Sequence, residues 1–271
     1  MTNKSVRNLL FYIGTCSLFF SSSSIHAFMY KPKIINSYTN DYKVYIAPQL
    51  ARLKFQVENF AIYRGVFKGG SAGAEYRPLF WFYGGAFCEY MMGSCDSADH
   101  MSRYMHDVDG HFRFGYTFPM WNFHRLTFTL FSGLGYNQIT QQLRADLVIQ
   151  SEKFRYYNYY IPCGTVVDLR VTDVFGFGYV IMWRPSINER LDTEFIDGAR
   201  FDLRKKAGYL FEAPFNLFFG EKSKAMVSIV PYLKRSVDGR LKASLPSGAK
   251  LVLPKQDYKY WGIKLAIGAT F

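Results

Sequence analysis

Asp107, Asp109 and His111 occupy alternate positions of one segment, and Asp99 sits beside His100 a little upstream. Alternate residues of an extended chain share a face, so the first three side chains could hold a water and take its proton for attack on a carbonyl. The rest of such an apparatus is missing. No second acidic and histidine element stands on a distant segment, and Gly110-His111 continues into Phe112 and Arg113 rather than into a hydroxyl nucleophile. His124 is followed on its own face by Leu126. Past residue 27 the cysteines are Cys88, Cys95 and Cys163, an odd count, and their spacing and accompanying histidines fit no metal site. Cys88 and Cys95 can pair only if the chain folds back between them. The expectation is therefore no catalytic residue, no metal ligand set and no cofactor.

The elements that carry these residues read as strands. Over the last eleven residues one face is Trp261, Ile263, Leu265, Ile267, Ala269 and Phe271, and the other is Gly262, Lys264, Ala266, Gly268 and Thr270. That is period-2 patterning, at the length a tilted strand needs to cross a bilayer. Similar alternation recurs near 43–57, 65–77, 79–91, 108–118, 125–136, 156–170, 175–184, 200–213 and 225–237. The sum is about ten strands, with eight to twelve in range because the register over 43–92 is loose. Connections near 93–106, 138–154, 186–198 and 238–256 read as long and polar. Those at Pro78, Pro119 to Asn122 and Val171 to Asp173 read as short.

At the other end, Lys4 and Arg7 precede an apolar run from Leu9 to Phe20 and the small residues Ser21 to Ala27. This is the pattern of a cleavable signal peptide over residues 1–27, since the run falls short of the roughly 20 residues a helical span requires. Residues 28–42, polar and containing Pro32, form a short lead, and 43–271 a single barrel domain. Gly262, Ile263, Leu265, Ile267 and the terminal Phe271 resemble the C-terminal assembly signal of Gram-negative outer-membrane β-barrels. The resemblance implies an all-β fold, a single antiparallel up-and-down transmembrane barrel. It also implies the bacterial outer membrane as address, insertion by the barrel-assembly machinery, and lipid with lipopolysaccharide as surroundings. Long connections would face outward and short ones the periplasm. A soluble β-sandwich or lipocalin-like barrel shares the period. Aromatics near strand ends, such as Tyr157, Tyr159, Phe175 and Trp183, favour the membrane form because they resemble interfacial girdles. By size the precedent is the omptin family of ten-stranded outer-membrane proteases, which use carboxylate pairs and an Asp/His couple; Asp107, Asp109 and His111 lack that family's surrounding motif.

The polar face assigns to the lumen Arg52, Lys54, Arg77, Arg113, Arg125, Arg170, Arg184, Arg200, Arg204, Lys206 and Lys264, with Glu58, Glu75, Asp109, Asp168, Asp202 and Glu212. About eight strands make a filled barrel and about sixteen a wide channel, so ten strands predict a lumen plugged by paired charges. The alternative is a narrow pore whose basic excess prefers anions. The formal net charge of +12 falls to about +10 without Lys4 and Arg7. Basic residues scattered over alternating strands, with no basic helix, exclude a nucleic-acid module and suit anionic lipid or polysaccharide. Aromatic residues over 100–107 and 149–160, beside Lys153 and Arg155, offer a surface for a host or other surface ligand. The expected role is structural or surface-exposed, with the pore, an adhesin or an omptin-like hydrolase as alternatives.

Overall fold

The computed structural model describes residues 42–271 except 79–80, 99–100, 121–122, 145–152, 194–199, 204–206, 221–223 and 245–249. It gives the backbone alone at 119–120, 123–125, 144, 200, 241–244 and 250–252. The signal peptide and nearly all of the lead expected from the sequence lie outside the described residues. From Tyr42 the chain is all strand: β1 (Tyr42–Val57), β2 (Ala61–Tyr76), β3 (Trp81–Ser97), β4 (Ser102–Met120), β5 (Phe123–Arg144), β6 (Lys153–Tyr160), β7 (Cys163–Arg170), β8 (Phe175–Thr193), β9 (Arg200–Asp202), β10 (Ala207–Glu212), β11 (Phe215–Phe219), β12 (Ala225–Asp238), β13 (Leu241–Ser244), β14 (Lys250–Leu253) and β15 (Gln256–Thr270).

These fifteen strands make ten antiparallel staves. Each neighbour in sequence pairs with the next, β6 and β7 run as one stave, and β9, β10 and β11 form another. β15 closes the ring between β1 and β12. The seam ends in a reciprocal pair of backbone bonds, Tyr42 N–H to the Phe271 carbonyl and Phe271 N–H to the Tyr42 carbonyl, both 3.0 Å. Every described wall strand except the short β9, which pairs with β8 alone, has a strand partner on both sides, the condition for strands in lipid. The β13–β14 hairpin stands outside the ring.

The end bearing Tyr42 and Phe271 is called the lower end. On β1 the outward residues run Val44, Ile46, Pro48, Leu50, then Arg52, Lys54, Gln56 toward the upper end, and the inward ones run Lys43, Tyr45, Ala47, Gln49, then Ala51, Leu53, Phe55, Val57. The polarity of the two faces exchanges partway along the strand. β15 repeats the exchange: Trp261, Ile263, Leu265 and Ile267 face out below, while Asp257 and Lys259 do so above, opposite buried Tyr258 and Tyr260. A continuous outward belt of Phe112, Phe114, Leu134, Ile181, Phe211, Ile229 and their neighbours is far larger than a soluble monomer exposes, and it is the surface a bilayer requires. Above it the barrel is built like a soluble protein, with Leu53, Phe55, Tyr63, Phe67, Met105, Ile139 and Leu191 in one buried cluster.

This exchange corrects three sequence expectations. Arg52 and Lys54 face outward, because apolar side chains claim the inside wherever the outside is water. The segments 93–106, 138–154 and 186–198 are largely strand, since β3 runs to Ser97, β4 starts at Ser102, β5 reaches Arg144 and β8 reaches Thr193. Finally, Phe201 is buried on β9 while the Asp202 side chain is 85% exposed beside Arg190, so Asp202 lies outside the lumen. Cys88 faces out and Cys95 in on the same strand, which rules out a bond between them, and no disulfide joins the described cysteines. At the upper rim, Arg240 donates two bonds of 2.6 Å to Glu58 in the β1–β2 turn, and these bonds, with the guanidinium charge behind them, hold the Glu58 carboxyl below the usual range.

Candidate functional site in the barrel lumen

Cross-strand register brings together like charges that sequence alone leaves apart. Glu89 on β3 stands directly opposite Asp109 on β4, and Asp107 lies two residues farther up. Carboxylates so placed repel, and in a closed interior they require cations. Lys234 supplies one. Its Nζ lies 2.9 Å from Glu89, 3.0 Å from Asp107 and 3.4 Å from Asp109, with the side chain 3% exposed. Five pairing steps separate β12 from β4 around the ten-stave ring, so this one side chain crosses the whole lumen.

The remaining valences of the two aspartates are filled. Arg184 of β8 binds Asp109, and its guanidinium lies over the Tyr160 ring at 4.1 Å. The Tyr160 hydroxyl donates to Asp109 at 2.7 Å, and Asn137 donates to Asp107 at 2.6 Å. His111 Nδ1 is 3.4 Å from Asp109, while Arg113 donates to its Nε2 at 3.0 Å and packs between the faces of Phe87 and Phe131. Lys264 bridges Glu89 at 2.9 Å and Glu212 at 2.8 Å. Below this layer Arg77 pairs with Asp168 and reaches Glu75, which Lys43 also approaches at 3.8 Å. Among the described residues Lys234, Arg184, Lys264, Arg77 and Lys43 thus pair with Glu89, Asp107, Asp109, Glu212, Glu75 and Asp168, and Arg113 joins them through His111.

Bulge geometry on β8 makes part of this possible. The register with β6 shifts by one residue between Tyr159 and Tyr160, so Arg184 below and Glu189 above both point inward despite their odd separation. Above the ion pairs an aromatic and amide layer seals the bore. Arg103 donates to Gln141 at 2.6 Å and lies over Tyr63, Gln141 donates to Gln256 and Tyr258, and Phe55 stacks on both Tyr63 and Tyr258. The cavities lined by the charged layer measure about 30 and 60 Å³, room for one or two waters.

Of the candidate lumen charges, Arg77, Arg113, Arg184, Lys264, Glu75, Asp109, Asp168 and Glu212 are brought into this network. Arg170 lies at the lower rim, donating to the Asp173 carbonyl at 2.6 Å and stacking on Phe218. Arg204 and Lys206 lie outside the described residues, as do the side chains of Arg125 and Arg200 and the pair Asp99 and His100. Asp107, Asp109 and His111 sit mid-strand in the closed interior rather than near an outer strand end, and every one is engaged. Lys234, Asp107, Glu89 and Lys43 complete the network from outside the expected lumen set. Lys234 was legible on the polar face of its strand, whereas Glu89 falls in a stretch whose two faces are both apolar.

Among solved structures, the fold is similar to the outer membrane protease OmpT from Escherichia coli, with a TM-score of 0.55 and 11% identity over 88% of this chain and 99% of that one. The translocator domain of the autotransporter NalP from Neisseria meningitidis aligns with a TM-score of 0.48 and 8% identity, covering 85% of this chain and 88% of its own. The β domain of the Bordetella autotransporter BrkA gives a TM-score of 0.43 at 12% identity, covering 85% and 100%. No protein-family model and no curated sequence matches the chain. At such identity the likeness to OmpT establishes the fold of an outer-membrane β-barrel.

Proposed function

We propose that this protein is a plugged, non-conducting barrel of the outer membrane whose role is structural and surface-exposed, carried out by its outer wall and upper rim. The observation that supports this reading is Lys234, which ties β12 to carboxylates on the diametrically opposite stave and leaves water-sized voids around it. Breaking such a group costs several kcal/mol, since each partner would be left charged and dry. A narrow anion-preferring pore was the main alternative, and its premise was an excess of basic lumen residues. Among the described lumen residues the ion pairs join five cations to six carboxylates, which argues against that premise. A hydrolase would need Asp107, Asp109 and His111 free to meet a substrate, and their partners argue against that role. Insertion through the assembly machinery, guided by Gly262, Ile263, Leu265, Ile267 and Phe271, belongs to the same reading.

The test is electrical. The refolded chain inserted in a planar bilayer under a salt gradient should give no resolved current steps. Stable steps with a reversal potential on the anion side would overturn the plug and restore the pore.

A further inference from the structure

Above the apolar belt, one cross-strand row reads Arg235, Lys259, Lys54, Arg64 and Asp96, each directly opposite the next on five consecutive staves. Four cations side by side are repulsive at the spacing of paired strands. Arg52, opposite both Trp261 and Val66, and Lys68, opposite Leu50, lie just beneath them. Asp257 answers only one end, 2.8 Å from Arg235 and 3.9 Å from Lys259, and Asp96 is held by Ser102 at 2.5 Å. Among the described residues Arg52, Lys54, Arg64 and Lys68 have no ion-pair partner. Directly below the row is an outward groove lined by Leu50, Val66, Trp261 and Ile263, with Arg52 at its head.

We propose that this flank binds a phosphorylated, acylated saccharide lipid of the lipopolysaccharide class. The inference rests on the membrane-embedded reading above and names one occupant of its outer wall. Groove and row have the order of such an amphiphile. Leu50, Val66 and Ile263 take acyl chain, the half-exposed Trp261 ring covers the sugar at the interface, and the cations meet phosphate. One phosphodiester carries a single charge, whereas four staves in register span about 14 Å, a width filled by phosphates set apart across a saccharide headgroup. Charge complementarity selects the occupant: six cations face two carboxylates on this flank.

Binding is measured with the refolded full-length chain and vesicles of neutral phospholipid doped with lipopolysaccharide, dephosphorylated lipopolysaccharide or phosphatidylglycerol, with inorganic phosphate as competitor. Lipopolysaccharide should be retained best, and Lys54→Gln/Lys259→Gln should weaken that retention by about tenfold or more. Arg190→Gln, away from the row, should not change it. Because Lys54 and Lys259 face outward, the double variant should keep the heat-resistant mobility of a folded barrel. Should it unfold, loss of the wild-type preference in 1 M salt decides in its place. Equal retention on phosphatidylglycerol, or complete displacement by inorganic phosphate alone, would overturn the proposal. A chain that inserts yet ignores all three lipids overturns it too, whereas a chain that fails to insert overturns the membrane reading instead.

Discussion

Lys234 holds three carboxylates from a single nitrogen, so its removal is a sharper perturbation than the loss of any one acid. In Lys234→Met, Glu89, Asp107 and Asp109 would share only Arg184 and Lys264, and two like charges would face each other across β3 and β4. We expect a loss of about 3–5 kcal/mol in urea unfolding of the refolded protein. Partial recovery should follow when Asp107→Asn is added, because the amide carries no charge to be left dry. A loss below about 1 kcal/mol would mean that water reaches the bore. How little of this was legible in the sequence follows from separation: Lys234 meets Glu89 across 145 residues and Asp107 across 127. Alternation assigns a residue to a face, but only closure of the ring decides which faces meet.

Each strand follows two rules in succession, lipid outside along its lower part and water outside along its upper part. β1 shows the contrast within sixteen residues. Ile46→Lys, in the lipid belt, should destabilise the inserted barrel by about 2–4 kcal/mol. Gln56→Lys, on the same face near the top, should change stability by less than about 0.5 kcal/mol. Equal costs in vesicle-bound unfolding would contradict the boundary drawn at Leu50 and Arg52. On β1 the sequence period holds through both halves, and the belt portions of the other long strands follow it too. The period is silent about which face is inside. For that reason Ala51, Leu53 and Phe55 look like a lipid face and Arg52 and Lys54 like a lumen, and the polar upper segments look like loops. The one-residue slip in β8 had no local signal at all.

For the whole molecule, class and stave number were legible, because ten alternating segments ending on Phe271 leave few other ways to satisfy every backbone group. The closing seam depends on the last residue, whose amide and carbonyl both bond Tyr42. Deleting Phe271 should therefore lower the yield of heat-resistant barrel during assembly in cells several-fold, and full yield would exclude a role for that terminus. What the sequence hid is height. On β5 the outward face changes from Leu134 to Gln138, Thr140 and Gln142, and hydrogen-bonded strand continues to Arg144. At the usual rise and tilt, that section stands roughly 20 Å above the belt. A stiff collar of this kind works as a mast: it holds the described rim residues, Glu58 and Arg240 among them, at a fixed distance from the bilayer surface.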